Sequence, residues 1–161
     1  MRYLSAVLLF FCLQAQAETT DKTIIGWIET VRIMPEKFEL TAKIDSGADN
    51  SSLDVISWKT YSHQDEEWIR FDVINNNEDT ITFERPLEGY TLIKRKRAEP
   101  VERPVVSMKL CIGNHIYLAP VNLAERKGFK YRMLIGRSFL KGRFLVDSAV
   151  KQSTLPQCNS L

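Results

Sequence analysis

Leu40-Thr41-Ala42-Lys43-Ile44-Asp45-Ser46-Gly47-Ala48-Asp49 and, about ninety residues later, Met133-Leu134-Ile135-Gly136-Arg137-Ser138-Phe139-Leu140 are the two stretches on which the fold turns. In the first, an apolar run of strand character delivers an aspartate into a Ser-Gly turn. That arrangement holds a carboxylate at the end of a strand, within reach of backbone N–H groups. In the second, Leu-Ile-Gly leads into an arginine that is available to stand beside Asp49.

Outward from the first stretch, Gly26 to Ile33 alternates as a strand, Met34-Pro35-Glu36-Lys37 reads as a turn, and Phe38 to Ile44 follows as a second strand. Together they predict a hairpin that ends at Asp45. Trp68 to Ile74 alternates again, Asn75-Asn76-Asn77 marks a turn, and Thr80 to Glu84 resumes as a strand. Val105 to Ile112 and His115 to Leu123 make a further hairpin around Gly113-Asn114. One short helix is predicted, from about Arg137 to Lys141 and stopped by Gly142, with Phe144-Leu145-Val146 as the last core strand. Many short strands, turn signals and almost no helix indicate an all-β, closed β-barrel.

The 161 residues suffice for one domain with its own core. Arg2, an apolar run from Leu4 to Leu13 and the small-x-small Ala15-Gln16-Ala17 read as a signal peptide over residues 1–17, leaving a domain over 18–161. The apolar run falls short of the roughly 20 residues of a membrane span, and no later segment approaches that length, so the mature chain is expected to have no transmembrane segment. Export implies a periplasmic location. Cys12 follows two phenylalanines, unlike the cysteine of a lipid anchor, which follows small residues. Cleavage would lower the formal charge of +2 only by the charge of Arg2, and that near balance argues against nucleic acid as a partner. For Cys111 and Cys158 two readings stand: a disulfide, which an oxidising compartment permits, or a buried apolar Cys111 with an incidental Cys158 in the tail.

The aspartate in a Ser-Gly turn resembles half of an aspartic protease of the retropepsin type. Such chemistry needs two carboxylates close enough to share a proton, one acting as base toward water and the other donating to the substrate carbonyl. A chain with one such aspartate has to dimerise, and a two-fold homodimer brings Asp45 against its symmetry mate. The resemblance implies Asp45 as the catalytic carboxylate on an active-site loop of Ser46, Gly47 and Ala48. Ser46 fits a hydroxyl that bonds across the axis, and Gly47 lets backbone approach the carboxylate. It further implies a structural ion pair of Asp49 with Arg137 near the dimer interface, and a flap between about Glu84 and Pro104 with Gly89 at its mobile tip. Asp147, in Val146-Asp147-Ser148-Ala149, echoes the Asp45 loop but lacks the following glycine, and it reads as a strand-end turn residue.

The sequence also resembles a bacterial family of retropepsin-like proteins that has carried the label ATP-dependent zinc protease. Gly26-Trp27-Ile28-Glu29, Lys43 to Ala48, Arg103-Pro104-Val105-Val106 and Leu134 to Asp147 follow that family's order. Ser46 replaces its commoner threonine, and Asp49 stands where it often has arginine. Neither ATP nor zinc is expected as a cofactor: there is no phosphate-binding loop, no His-Glu-x-x-His, and His63 and His115 are isolated. The expected substrate is a peptide or protein. The rival readings are a catalytically silent domain that binds a peptide or cell-envelope partner, and a metal-dependent protease. Lys94-Arg95-Lys96-Arg97, followed by Arg103, is read as a solvated basic loop or as a contact for anionic cell-envelope material or an acidic substrate.

Overall fold

The computed structural model describes residues 21–95, 98–125 and 128–158, so the stretch expected to be a signal peptide and part of the basic run lie outside the described residues. The strands are β1 (Thr23–Gly26), β2 (Ile28–Met34), β3 (Phe38–Ile44), β4 (Ser51–Asp54), β5 (Ser57–His63), β6 (Glu66–Ile74), β7 (Thr80–Pro86), β8 (Gly89–Arg95), β9 (Ala98–Ile112), β10 (His115–Ala124), β11 (Met133–Ile135) and β12 (Phe144–Asp147). One helix, α1 (Arg137–Leu140), follows β11. The protein is all-β, as the pattern predicted. No helix among the described residues is long and apolar enough to cross a membrane.

The main sheet has the order β10-β4-β11-β3-β2-β9-β8, and a β9–β10 pairing closes it into a ring with β8 attached outside. Alternation in β3 sends Phe38, Leu40, Ala42 and Ile44 inward, where they meet Val31, Ile33, Val121 and Ile135. A second sheet of β5-β6-β7 packs Phe71 and Phe83 against each other at 5.5 Å, and the edge of Phe38 meets Phe83 at 6.0 Å. That aromatic contact joins the two sheets into one core. The turn between β6 and β7 explains the asparagine run: Asn75 Oδ1 accepts from the N–H groups of Asn77 and Asp79, both at 2.9 Å.

Three expectations need correction. The strand expected over Gly26 to Ile33 is broken at Trp27, because β1 leaves the ring to pair in parallel with β12. Phe144-Leu145-Val146 is therefore a strand of a two-stranded ribbon outside the ring, and it gives Phe144 alone of the three to the core. Phe144 is buried, while Leu145 and Val146 are exposed. Gly89 lies at the base of the β8–β9 hairpin, opposite Val105, and the far end of that hairpin lies between Arg95 and Ala98. It is not the tip, although its φ of +131° still calls for glycine.

The cysteine question is answered by a Cys111–Cys158 disulfide, which ties the chain's last described residue to the end of β9. Between them the segment 150–158 crosses the outside of β2 as a strap. Thr154 packs near Gly113, and the Gln157 N–H donates to the Gly113 carbonyl at 2.7 Å.

Candidate active site

Asp45 stands where β3 ends. Its backbone N–H donates to the Ile135 carbonyl at 2.9 Å and its carbonyl accepts from Ala48 N–H at 3.2 Å, so β11 and the turn fix it from both sides. The carboxylate is half-buried. Oδ1 accepts from the Gly47 N–H at 2.9 Å, and Oδ2 faces the Lys43 ammonium at 3.4 Å. A Cβ on Gly47 would come to 3.1 Å from Oδ1, which is why a side chain there would crowd the carboxylate. Asp147 makes a comparable turn, Oδ1 accepting from Ala149 N–H at 2.8 Å, but it lies at the end of the outer ribbon.

Ser46, Gly47, Asp49 and Asn50 are exposed, so the loop carrying the carboxylate presents itself outward. Arg137 holds it from behind. Nη2 pairs with Asp49 Oδ1, and Nη1 donates to the Ser46 carbonyl at 2.9 Å. The Arg137 N–H donates to the Ala48 carbonyl at 2.8 Å and Ser138 N–H to that of Asp49 at 2.9 Å. The expected ion pair thus joins the two quoted stretches, but both of its side chains are largely exposed, which limits what it adds within one protomer. Gly136 makes the crossing feasible: a Cβ there would lie 2.5 Å from the Asn50 carbonyl carbon and oxygen.

Two open grooves flank the loop. One, of about 570 Å³, runs from Ser46 and Asp49 past Arg137 to Phe144 and Val146. The other, of about 290 Å³, lies between Ala48 and Asp49 on one side and Thr91, Leu92 and Ile93 of β8 on the other, with Arg103 and Asn122 in its wall. Arg103 Nη1 donates to Asn122 Oδ1 at 3.3 Å, and buried Asn122 donates through Nδ2 to the Ser51 carbonyl at 2.8 Å. Arg103 belongs to the quoted Arg103-Pro104-Val105-Val106 run, whereas nothing in the sequence points to Asn122, since a lone Asn in a strand carries no motif.

On β2, in register with Ala42 of the strand that carries Asp45, lies a buried carboxylate that the motif Gly26-Trp27-Ile28-Glu29 contained without disclosing its purpose. Glu29 is fully buried. Its Oε1 accepts from Gly26 N–H at 2.6 Å and from Ser153 Oγ at 2.5 Å and N–H at 3.1 Å. Its Oε2 accepts from Thr154 N–H at 3.1 Å and Oγ1 at 3.0 Å. Burial pushes its pKa upward, but the bonds from Ser153, Gly26 and Thr154 outweigh it and hold the group below the usual glutamate value.

An aspartate delivered by a strand into an exposed Ser-Gly turn, braced by a Gly-Arg at the start of a short helix within a closed β ring, defines the class: a retropepsin-like domain. Comparison with known proteins agrees. The chain belongs to the RimB-like family, described as retropepsin-like aspartic endopeptidase RimB, which matches residues 24–156. It is 28% identical over 115 residues to a probable alpha-L-glutamate ligase of Desulfotalea psychrophila, covering 70% of this chain and 25% of that protein. A probable alpha-L-glutamate ligase of Parasynechococcus marenigrum is 30% identical over 111 residues, covering 67% of this chain and 24% of its own length. The chain therefore spans about a quarter of the curated relatives it matches. The crystal structure of Lpg0085, a protein of unknown function from Legionella pneumophila, superposes with a TM-score of 0.73 at 27% identity, over 84% of this chain and 100% of that one.

Among the described residues, the histidines and cysteines that a zinc site would draw on are otherwise engaged. Cys111 is committed to the disulfide, His63 packs on the edge of Trp68, and His115 bonds to Thr23 Oγ1 at 2.7 Å. Among the described residues, no three His, Cys, Asp or Glu side chains gather to hold a metal ion.

Proposed function

We propose that this protein is an exported, periplasmic aspartic endopeptidase that works as a homodimer through Asp45. The observation that carries the reading is the placement of Asp45. Its half-buried carboxylate accepts from Gly47 N–H and its backbone N–H donates to the Ile135 carbonyl, on a loop that otherwise faces outward. Half of a two-carboxylate site has this form. In the dimer the two Asp45 groups share one proton. The ionised one takes a proton from water as its oxygen attacks the scissile carbonyl carbon, while the protonated one donates to the carbonyl oxygen.

Several features support the second protomer and the compartment. Ile24 and Leu145 leave apolar side chains exposed on the β1–β12 ribbon, and Val146 lines the groove that reaches Ser46. The disulfide suits an oxidising compartment and so supports export through the segment 1–17. The β8–β9 hairpin, standing over the groove beside Asp49, serves as the flap. Arg103 in that groove, together with relatives named as glutamate ligases, makes glutamate-rich peptides the first substrates to try.

The ligase relatives also favour a second reading, in which the domain binds such a peptide without cleaving it. One experiment separates the two. Denatured envelope proteins and glutamate-rich peptides are incubated with concentrated protein from acid to neutral pH, with Asp45→Asn alongside, and new termini are mapped by mass spectrometry. Cleavage that disappears in Asp45→Asn is the expected result. Equal profiles from two folded, dimeric samples would favour the binding domain.

A further inference from the structure

We propose that Glu29 is a positioning residue for the Asp45 loop, acting by clamping the strap 150–158 against Trp27. This goes beyond the peptidase reading, and its first test does not depend on that reading. Five neutral donors converge on one buried carboxylate, from Gly26, Ser153 and Thr154. A carboxylate is acceptor-only and can receive all five, whereas an amide would turn its own N–H groups toward some of them. The glutamate is therefore matched to the strap and to the corner between β1 and β2 at once.

The clamp reaches Asp45 through the backbone of Trp27. On one side the Trp27 N–H donates to the Val150 carbonyl at 3.1 Å, and Gln152 N–H donates to the Ile28 carbonyl at 2.6 Å. On the other side the Trp27 carbonyl accepts from the Ile44 N–H at 2.9 Å, one residue before Asp45. Lys151 Nζ lies 5.0 Å over the Trp27 ring, and the edge of that ring meets Tyr131 at 6.4 Å, just ahead of the strand whose Ile135 carbonyl holds Asp45. The approach is close. A Cβ on Gly26 would lie 2.6 Å from the Val150 carbonyl oxygen. Residue 28 is also in register with Lys43, whose ammonium faces the Asp45 carboxylate. Trp27 is thus bonded to the strap on one face and to the strand carrying Asp45 on the other, and Glu29 holds the strap down.

The test is hydrogen exchange on the full chain, comparing wild type with Glu29→Gln. Loss of a charge-assisted bond predicts about tenfold faster exchange or more at residues 152–154. The same direction is expected across Ile44 to Ala48, with Val106 to Ile112 unchanged. Ser153→Ala, which keeps the carboxylate, should give the same pattern more weakly, and it carries the test if Glu29→Gln does not fold. Ser153→Thr, which keeps the hydroxyl, should restore protection. If the strap loosens while Ile44 to Ala48 stays protected, if exchange rises evenly over the whole chain, or if nothing changes, the proposal is wrong. Where the peptidase reading holds, Ser153→Ala should lower kcat with KM little changed. Where that reading fails, the exchange result still decides.

Discussion

Removing the Cys111–Cys158 disulfide tests how much of the stability resides in the strap. The bond joins positions 47 residues apart, and the loop-entropy relation gives about 4 kcal/mol at 25 °C for a closure of that length. Both cysteines are buried in a small cluster with Met34 and Ile116, so reduction also loosens a packed patch. The near end of the strap would still be held by Glu29, and the far end by the Gln157 bond to Gly113 and by that patch. Urea unfolding followed by tryptophan fluorescence, with and without reductant and with the Cys111→Ala, Cys158→Ala double variant, measures the effect. The midpoint should fall and the slope m should rise, since the uncrosslinked unfolded chain exposes more surface. The corresponding drop in Tm is on the order of 10–15 °C. Coincident curves would refute the entropic reasoning. Two free thiols in protein denatured without reductant would show that the bond does not form.

Glu29 should contribute stability above the ordinary glutamate range. As pH falls below that range the unfolded chain takes up the proton first, and the contribution is lost through Glu29's own lower value. Glu29→Gln should therefore flatten the acid side of a stability-versus-pH curve, leaving the shares of Asp72, lowered by bonds from Thr82 and Ser57, and of Glu84, lowered by the bond from Arg70. Gly136→Ala should destabilise by about 1–3 kcal/mol, because its Cβ meets the Asn50 backbone and the helix start cannot stay in place. Thermal melts check this, and an unchanged Tm would contradict the packing. Asp49→Asn should cost one protomer no more than about 1 kcal/mol, given the exposure of the pair. If the pair lies at a dimer interface, sedimentation should show a larger loss in self-association than in protomer stability.

The sequence by itself determined the all-β class, the β2–β3 hairpin, the β9–β10 hairpin and the turn at Asp45, while the Arg137 brace was implied by the family resemblance. The elements and the turn are written in local signals: period-two alternation, turn residues, and an aspartate delivered into a Ser-Gly turn. The rest was hidden where burial and polarity part company. β4 reads Ser-Ser-Leu-Asp, which no hydrophobic pattern marks as a strand, yet all four residues are buried. Their polar groups are satisfied by partners remote in sequence: Gly136 N–H on Ser51 Oγ at 3.2 Å, and Arg132 on Asp54 Oδ2 at 2.6 Å. β5 carries the opposite disguise, an exposed edge strand with Trp58 in the open.

The disulfide stood open because spacing does not give separation in space, and only the path of the strap brings Cys158 to Cys111. Glu29 was visible as a letter in Gly26-Trp27-Ile28-Glu29, and Gly26 as another. Their purpose depended on where Val150, Ser153 and Thr154 come to rest, more than a hundred residues away. A local motif can specify which groups a chain offers. Which donors surround a buried carboxylate, and which strand end they steady, is decided by long-range packing, because that alone removes water and brings the donors together.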